Sequence, residues 1–156
     1  LVDGLAEVCK DFLIPQKITH PDSYYAYTAG FRWDTEKSQV SRTAISSALR
    51  AEGVPSFTAY GRMLSEHPTF QKKIAYGSRG YPWNLNEKSL SINYDSSQFP
   101  VAEKLIKKEF IGFLCLGSPN GIKEMDIIIK SFKKIINNLD DLKNFKEQDL
   151  KIRIGR

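Results

Sequence analysis

The sequence predicts an α/β (α+β) fold, a small mixed β-sheet with helices packed against it. Three observations carry that expectation. Ile122, Met125, Ile128, Ile129, Phe132, Ile135, Ile136 and Leu139 recur at three- and four-residue spacing, the apolar stripe of a long helix. Phe110–Leu116 (FIGFLCL) is almost continuously apolar, as in a strand covered on both faces. Ser23–Trp33, a helix after Ser41 and Val54–Ala59 follow as strand, helix and strand, one βαβ-like or split unit.

The chain opens on an amphipathic helix. Leu1, Leu5, Val8, Cys9, Phe12 and Leu13 share one face, and Pro15 ends the helix because the residue before proline is driven out of the helical region. Starting at Leu1 in mid-pattern, the helix is expected to continue upstream in a longer parent. In Ser23–Trp33 (SYYAYTAGFRW), Tyr25, Tyr27, Ala29, Phe31 and Trp33 alternate with Tyr24, Ala26, Thr28, Gly30 and Arg32. That period of two, rich in aromatic residues, reads as a strand with one covered face. Ser41 is the expected N-cap of the next helix, Ala44, Ile45, Ala48 and Leu49 its buried face, and Gly53 its left-handed stop.

From Gly61 to Gln98 the periodicity fails, apart from a short candidate helix around Thr69–Ala75, and Gly77, Gly80 and Pro82 interrupt any regular element. A loop of this length in a small domain is commonly functional. Pro100 suits the first position of a helix whose apolar face is Val101, Ala102, Leu105 and Ile106. Ser118 or Asn120 is expected to cap the last helix, and residues 140–156 form a polar C-terminal tail.

Bulk composition excludes several classes. With 41% hydrophobic and 26% charged residues over 156 positions, the chain has the makeup of an ordinary globular domain. It has no apolar run long enough to span a bilayer, so no membrane partner is expected. Cys9 and Cys115 lack a CxxC spacing and read as two reduced core thiols in a cytoplasmic protein. The net charge of +5 raises nucleic acid as a partner. The lysines beyond Lys104 alternate with Glu109, Glu124, Asp126, Asp140, Asp141, Glu147 and Asp149, however, which describes a solvated helix face. No nucleic-acid partner is therefore expected.

Catalytic motifs are missing from the chain itself. Its two histidines, His20 and His67, each adjoin a proline and cannot assemble a histidine-rich metal site. There is no G-x-S-x-G, P-loop or G-x-G-x-x-G. Glu66 and Glu103 are candidate acids, although a first-turn glutamate such as Glu103 more often serves the helix dipole.

Two segments do carry a pattern. Gly53-Val54 is followed by Leu64, Pro68 and Phe70, and further on Phe99-Pro100-Val101-Ala102-Glu103 precedes Leu105. In that order they resemble the C-terminal small domain of the DegT/DnrJ/StrS family of PLP-dependent sugar aminotransferases, fold-type-I enzymes. The resemblance covers residues 1–139 as that domain and implies a large N-terminal domain, absent here, that holds the cofactor pyridoxal 5'-phosphate. It places no catalytic and no cofactor-binding residue in this chain. It implies a parent that moves an amino group from glutamate or glutamine to a nucleotide-linked keto-sugar or keto-cyclitol, usually as a homodimer. It implies too that the segment after the second strand faces the substrate. On that match Tyr60, Arg62, His67 and Trp83 are the substrate-binding candidates: a hydroxyl and ring face, a bidentate anion clamp, a hydrogen-bonding ring and a stacking surface. The same domain would serve a PLP-dependent sugar dehydratase of that family. From another class, a stand-alone basic and aromatic module for nucleic acid or an acidic glycan also fits the composition.

Overall fold

In a computed structural model, which describes residues 1–20, 28–114 and 116–145, the chain divides into two compact units. The first comprises residues 1–59 and the chain from 108 onward, and the second comprises residues 60–107. Among the described residues there are seven α-helices and one four-stranded sheet.

The first unit holds the sheet. Strand β1 (Leu13–Pro15) pairs with β2 (Ala29–Trp33), β2 with β4 (Phe110–Phe113), and β4 with β3 (Ser56–Phe57). Every pairing is antiparallel, so the sheet is not of mixed direction. Since β2 and β3 both run opposite to β4, they run parallel to each other with β4 between them. The helix joining them, α3 (Arg42–Ala51), completes a split β-α-β unit.

Local chemistry explains the elements. Ala29, Phe31 and Trp33 are buried on one face of β2, with Gly30 and Arg32 on the other, the alternation read from the sequence. Residues 23–27 of the expected strand, and Cys115 of the expected strand at 110–116, lie outside the described residues. Ser41 Oγ accepts from Ala44 N at 3.1 Å and caps α3. Gly53, with φ of 82°, supplies the left-handed residue after it. At the centre of the sheet, Gly112 of β4 stands opposite Gly30 of β2. A Cβ at Gly112 would lie 2.7 Å from a Phe57 ring carbon, so the missing side chain is what lets the Phe57 and Phe110 rings pack there.

Several expectations are corrected. The first helix, α1 (Val2–Cys9), stops before Phe12 and Leu13, and Leu13 opens β1 instead, paired with Trp33. The chain turns at Lys10, with φ of 36°, and the Phe12 amide bonds to the Cys9 carbonyl. A short helix missing from the sequence reading, α2 (Thr35–Ser38), is capped by Asp34, whose carboxylate accepts from Lys37 N at 3.0 Å. The cap of the last helix, α7 (Ile122–Asn137), is neither Ser118 nor Asn120. Glu124 reaches back to accept from Gly121 N at 2.7 Å, and that bond holds its carboxyl below the usual range. Ile122 is 82% exposed and leaves the stripe, while Ile128, Phe132 and Ile135 are buried. Where the expected polar tail begins, Leu142 and Phe145 pack against the core, and a 3₁₀ turn spans Leu139–Leu142.

One core runs through this unit, formed by Leu5 and Cys9 of α1, the inward residues of β2 and β4, Ile45 and Leu49 of α3, and Ile128 and Phe132 of α7. Phe113 meets Phe31 and Phe132 edge to face, at 5.9 and 6.0 Å between ring centres. Burial pushes the Cys9 thiol up to about 12, as removal of a thiolate from water requires.

Candidate functional site

The second unit contains all four substrate-binding candidates, and its architecture is built by short caps rather than long elements. Gly61, with φ of 81°, turns the chain between Tyr60 and Arg62. Tyr60 is 87% exposed and Arg62 is exposed as well. The next residue, Met63, is buried and anchors the turn. A 3₁₀ turn follows at Leu64–Glu66, where the Glu66 carboxylate accepts from Met63 N at 3.0 Å.

His67 and Pro68 start helix α4 (Pro68–Gln71), shorter than the helix expected at Thr69–Ala75. The Thr69 amide donates to His67 Nδ1 at 3.4 Å, so the neutral ring carries its proton on Nε2. His67 is exposed, and its ring is braced at Nδ1 by the Thr69 amide and hydroxyl.

Trp83 is placed differently. It is 8% exposed and sits in a 3₁₀ turn, Trp83–Leu85. Its indole N–H donates to the Tyr94 hydroxyl at 2.9 Å. Phe70 and Tyr94 stand nearly perpendicular to it, at 5.8 and 6.3 Å between ring centres. The Trp83 ring is thus the centre of a small aromatic core, with Phe70 and Tyr94 themselves 5.3 Å apart. Stacking of this ring on a sugar face would require that core to open.

After helix α5 (Glu87–Ser91), capped by Asn86, comes helix α6 (Pro100–Lys104), which starts at Pro100 as the sequence predicts and runs on as a π-helical turn, Leu105–Glu109. Val101 is 81% exposed, so the expected apolar face keeps only Ala102, Leu105 and Ile106. Glu103 lies in the first turn of α6, as the helix-dipole role expects, and also takes part in an ion pair. Lys107 Nζ lies 2.9 Å from both Glu103 Oε1 and Glu66 Oε1. The Lys107 bond and the Met63 amide lower the Glu66 carboxyl, and Glu103 followed by Glu66 raises the Lys107 ammonium.

The same unit carries an apolar cleft of about 300 Å³, open to solvent on one side and lined by Met63, Leu64, Phe70, Tyr94, Phe99, Ala102 and Ile106. Ser65 also borders it, with a buried hydroxyl that has no hydrogen-bond partner among the described residues. Phe70, Tyr94 and Lys107 were not singled out from the sequence as site residues. The Glu103–Lys107 spacing of four was the one local signal available. The pairing of Phe70 with Tyr94 spans 24 residues of irregular chain and leaves no periodic trace.

Among the described residues no group of three His, Cys, Asp or Glu side chains could hold a metal ion. No helix among them is long and apolar enough to cross a membrane. No protein-family model matches the chain, and no curated protein proved similar to it.

Proposed function

We propose that this chain forms the small domain of a PLP-dependent aminotransferase resembling the DegT/DnrJ/StrS family, whose parent moves an amino group from glutamate or glutamine to a nucleotide-linked keto-sugar or keto-cyclitol. The observation that carries the reading is a convergence. The later part of the first segment, Leu64 to Phe70, and the whole of the second fall within one unit, where Phe70 of the first and Phe99 of the second line the same cleft. Lys107 also binds Glu66 of the first and Glu103 of the second.

The described residues do not themselves fit the cofactor. Every described lysine except Lys73 is exposed, and none stands in a desolvated pocket beside an acid and a phosphate-binding turn. On the resemblance, that pocket belongs to the large domain of the parent. This chain supplies contact and orientation. Arg62 is exposed on a turn anchored by Met63, suited to a phosphate or carboxylate. His67 offers Nε2–H to a hydroxyl, and Tyr60 adds an exposed ring and hydroxyl. Trp83 acts one step back, holding α4 and Tyr94 in place.

The test begins with an immunoblot of the source cell and purification of the native product. The reading expects a protein much longer than 156 residues that transfers an amino group to a keto-sugar nucleotide. In that enzyme Arg62→Ala should raise KM for the keto-sugar by about tenfold, the size of one lost charge-assisted contact, with kcat little changed. A native product no longer than this chain, or KM indifferent to Arg62, His67 and Tyr60 together, would overturn it.

A further inference from the structure

The second unit holds another cleft, which the reading above does not use. It has a volume of about 320 Å³ and, unlike the apolar cleft, presents mainly polar atoms. Gln71 and Lys73 line it, as do Ser91, Ile92 and Asn93, and the half-buried aromatic residues Phe70 and Tyr94 add apolar surface.

The hydrogen-bonding capacity left in this cleft has a definite sense. Lys73 Nζ donates to the Leu90 carbonyl, and no carboxylate among the described residues pairs with it. An ammonium carries three N–H groups, so two remain for a ligand. Asn93 Oδ1 is committed to Asp95 N at 2.9 Å, which leaves its amide as a donor. Gln71 is the reverse: its amide donates to the Ser65 and Tyr94 carbonyls, which leaves Oε1 as an acceptor. The surroundings favour an anion as well, since residues 60–107 carry seven Lys and Arg against four Asp and Glu.

Lys73 also occupies a costly backbone position. It follows α4 at a φ of 54°, with Ile74 N bonded to Thr69 O and Lys73 N to Phe70 O, a helix stop for which glycine is the usual residue. A charged side chain thus stands at a position where the backbone conformation favours glycine.

We propose that this cleft binds a hydroxylated oxyanion of the sugar-phosphate or sugar-acid class. Its phosphate or carboxylate pairs with Lys73 and the Asn93 amide, a hydroxyl donates to Gln71 Oε1, and its ring lies against Phe70 and Tyr94. The assignment stands on Lys73 and its cleft and does not depend on the amino-transfer reading.

The test is an amide chemical-shift titration of the full 156-residue chain with glucose 6-phosphate, glucuronate, glucose and inorganic phosphate as separate probes. Saturable shifts are expected at Lys73, Asn93 and Tyr94 with at least one of the two anionic sugars. Tighter binding of glucose 6-phosphate assigns a phosphate, and tighter binding of glucuronate assigns a carboxylate. Glucose and inorganic phosphate should each bind about tenfold more weakly than the better anionic sugar, one contact class being lost. Lys73→Gln should weaken binding by about tenfold or more, while Lys73→Arg stays within about threefold. Asn93→Asp keeps the acceptor for Asp95 N but places a negative charge in the cleft. It should weaken binding by about tenfold with the native amide spectrum intact, so the test survives if Lys73→Gln fails to fold. The proposal is overturned if neither anionic sugar gives saturable shifts there, if glucose binds as tightly as both, or if folded Lys73→Gln and Asn93→Asp bind like the unaltered chain.

Discussion

Arg32 Nε donates to Glu109 Oε2 at 2.7 Å, tying the outward face of β2 to the residue that leads into β4. Glu109 is 8% exposed whereas half of the Arg32 side chain is open to solvent, so the partners differ in what they lose when separated. Glu109→Ala should cost about 1–2 kcal/mol, since the arginine left behind can still be hydrated. A double-mutant cycle with Arg32→Ala, read by urea unfolding, should give a coupling of about 1 kcal/mol or less.

The glycine opposite Gly30 is the steric weak point of the sheet. A Cβ at Gly112 would meet Phe57 at 2.7 Å and 2.9 Å and Phe110 at 3.0 Å. Gly112→Val should destabilise the first unit by about 1–3 kcal/mol through overpacking. Pairing it with Phe57→Ala should recover part of that loss in the same unfolding assay.

Ser65 offers a test with the opposite sign. Its hydroxyl is buried without a partner among the described residues, so Ser65→Ala removes an unpaid desolvation cost and loses no bond. The variant should be unchanged or more stable by about 1 kcal/mol. A loss of similar size in thermal unfolding would show that the hydroxyl has a partner in solution.

Trp83→Ala should unfold the second unit in preference to the first, because Phe70 and Tyr94 lose their common neighbour. A buried aromatic truncation costs about 3–5 kcal/mol, more than so small a core can readily spare. Hydrogen exchange should accelerate across residues 60–107 and stay slow in β2 and α7.

The thiol chemistry and the acid response follow from two kinds of environment. With its thiol pushed up to about 12, Cys9 in a Cys115→Ser variant should resist disulfide reagents at neutral pH until the chain unfolds. Glu66 and Glu124 are lowered from an ordinary 4.5, by Lys107 and the Met63 amide and by the Gly121 amide respectively. The folded state binds their protons less readily than the unfolded state does. Their stabilisation is therefore complete above pH 4.5 and is lost as the pH falls through the lowered values. The melting temperature should drop on acidification in that window, and Glu66→Gln together with Glu124→Gln should flatten the drop.

The first unit was largely legible in the sequence. The stripe at Ile128, Phe132 and Ile135, the alternation in Ala29–Trp33, the apolar Phe110–Phe113 and the Ser41 cap each obey a local period or a single capping bond. Burial of one face enforces such patterns, so they survive in the order of the residues. Strand β1 escaped notice because Leu13 continues the spacing of α1, and only its pairing with Trp33 makes it a strand.

The candidate site was legible in residue type but not in placement. Tyr60, Arg62 and His67 are exposed polar residues on turns, as a loop punctuated by Gly61 and Pro68 implies. That Trp83 belongs to a core depended on Phe70 and Tyr94 arriving from either side of it along the chain.

By itself the sequence determined the periodic elements, the order strand, helix, strand along the chain and the positions of the glycine and proline breaks, because each element depends on neighbours three or four residues away at most. Tertiary structure alone decided the antiparallel partner between β2 and β3, the shared bond of Lys107 to Glu66 and Glu103, and the seat of the Lys73 ammonium against the Leu90 carbonyl in its cleft. Those depend on contacts between residues far apart in the chain, where loop closure brings together groups that no local spacing announces.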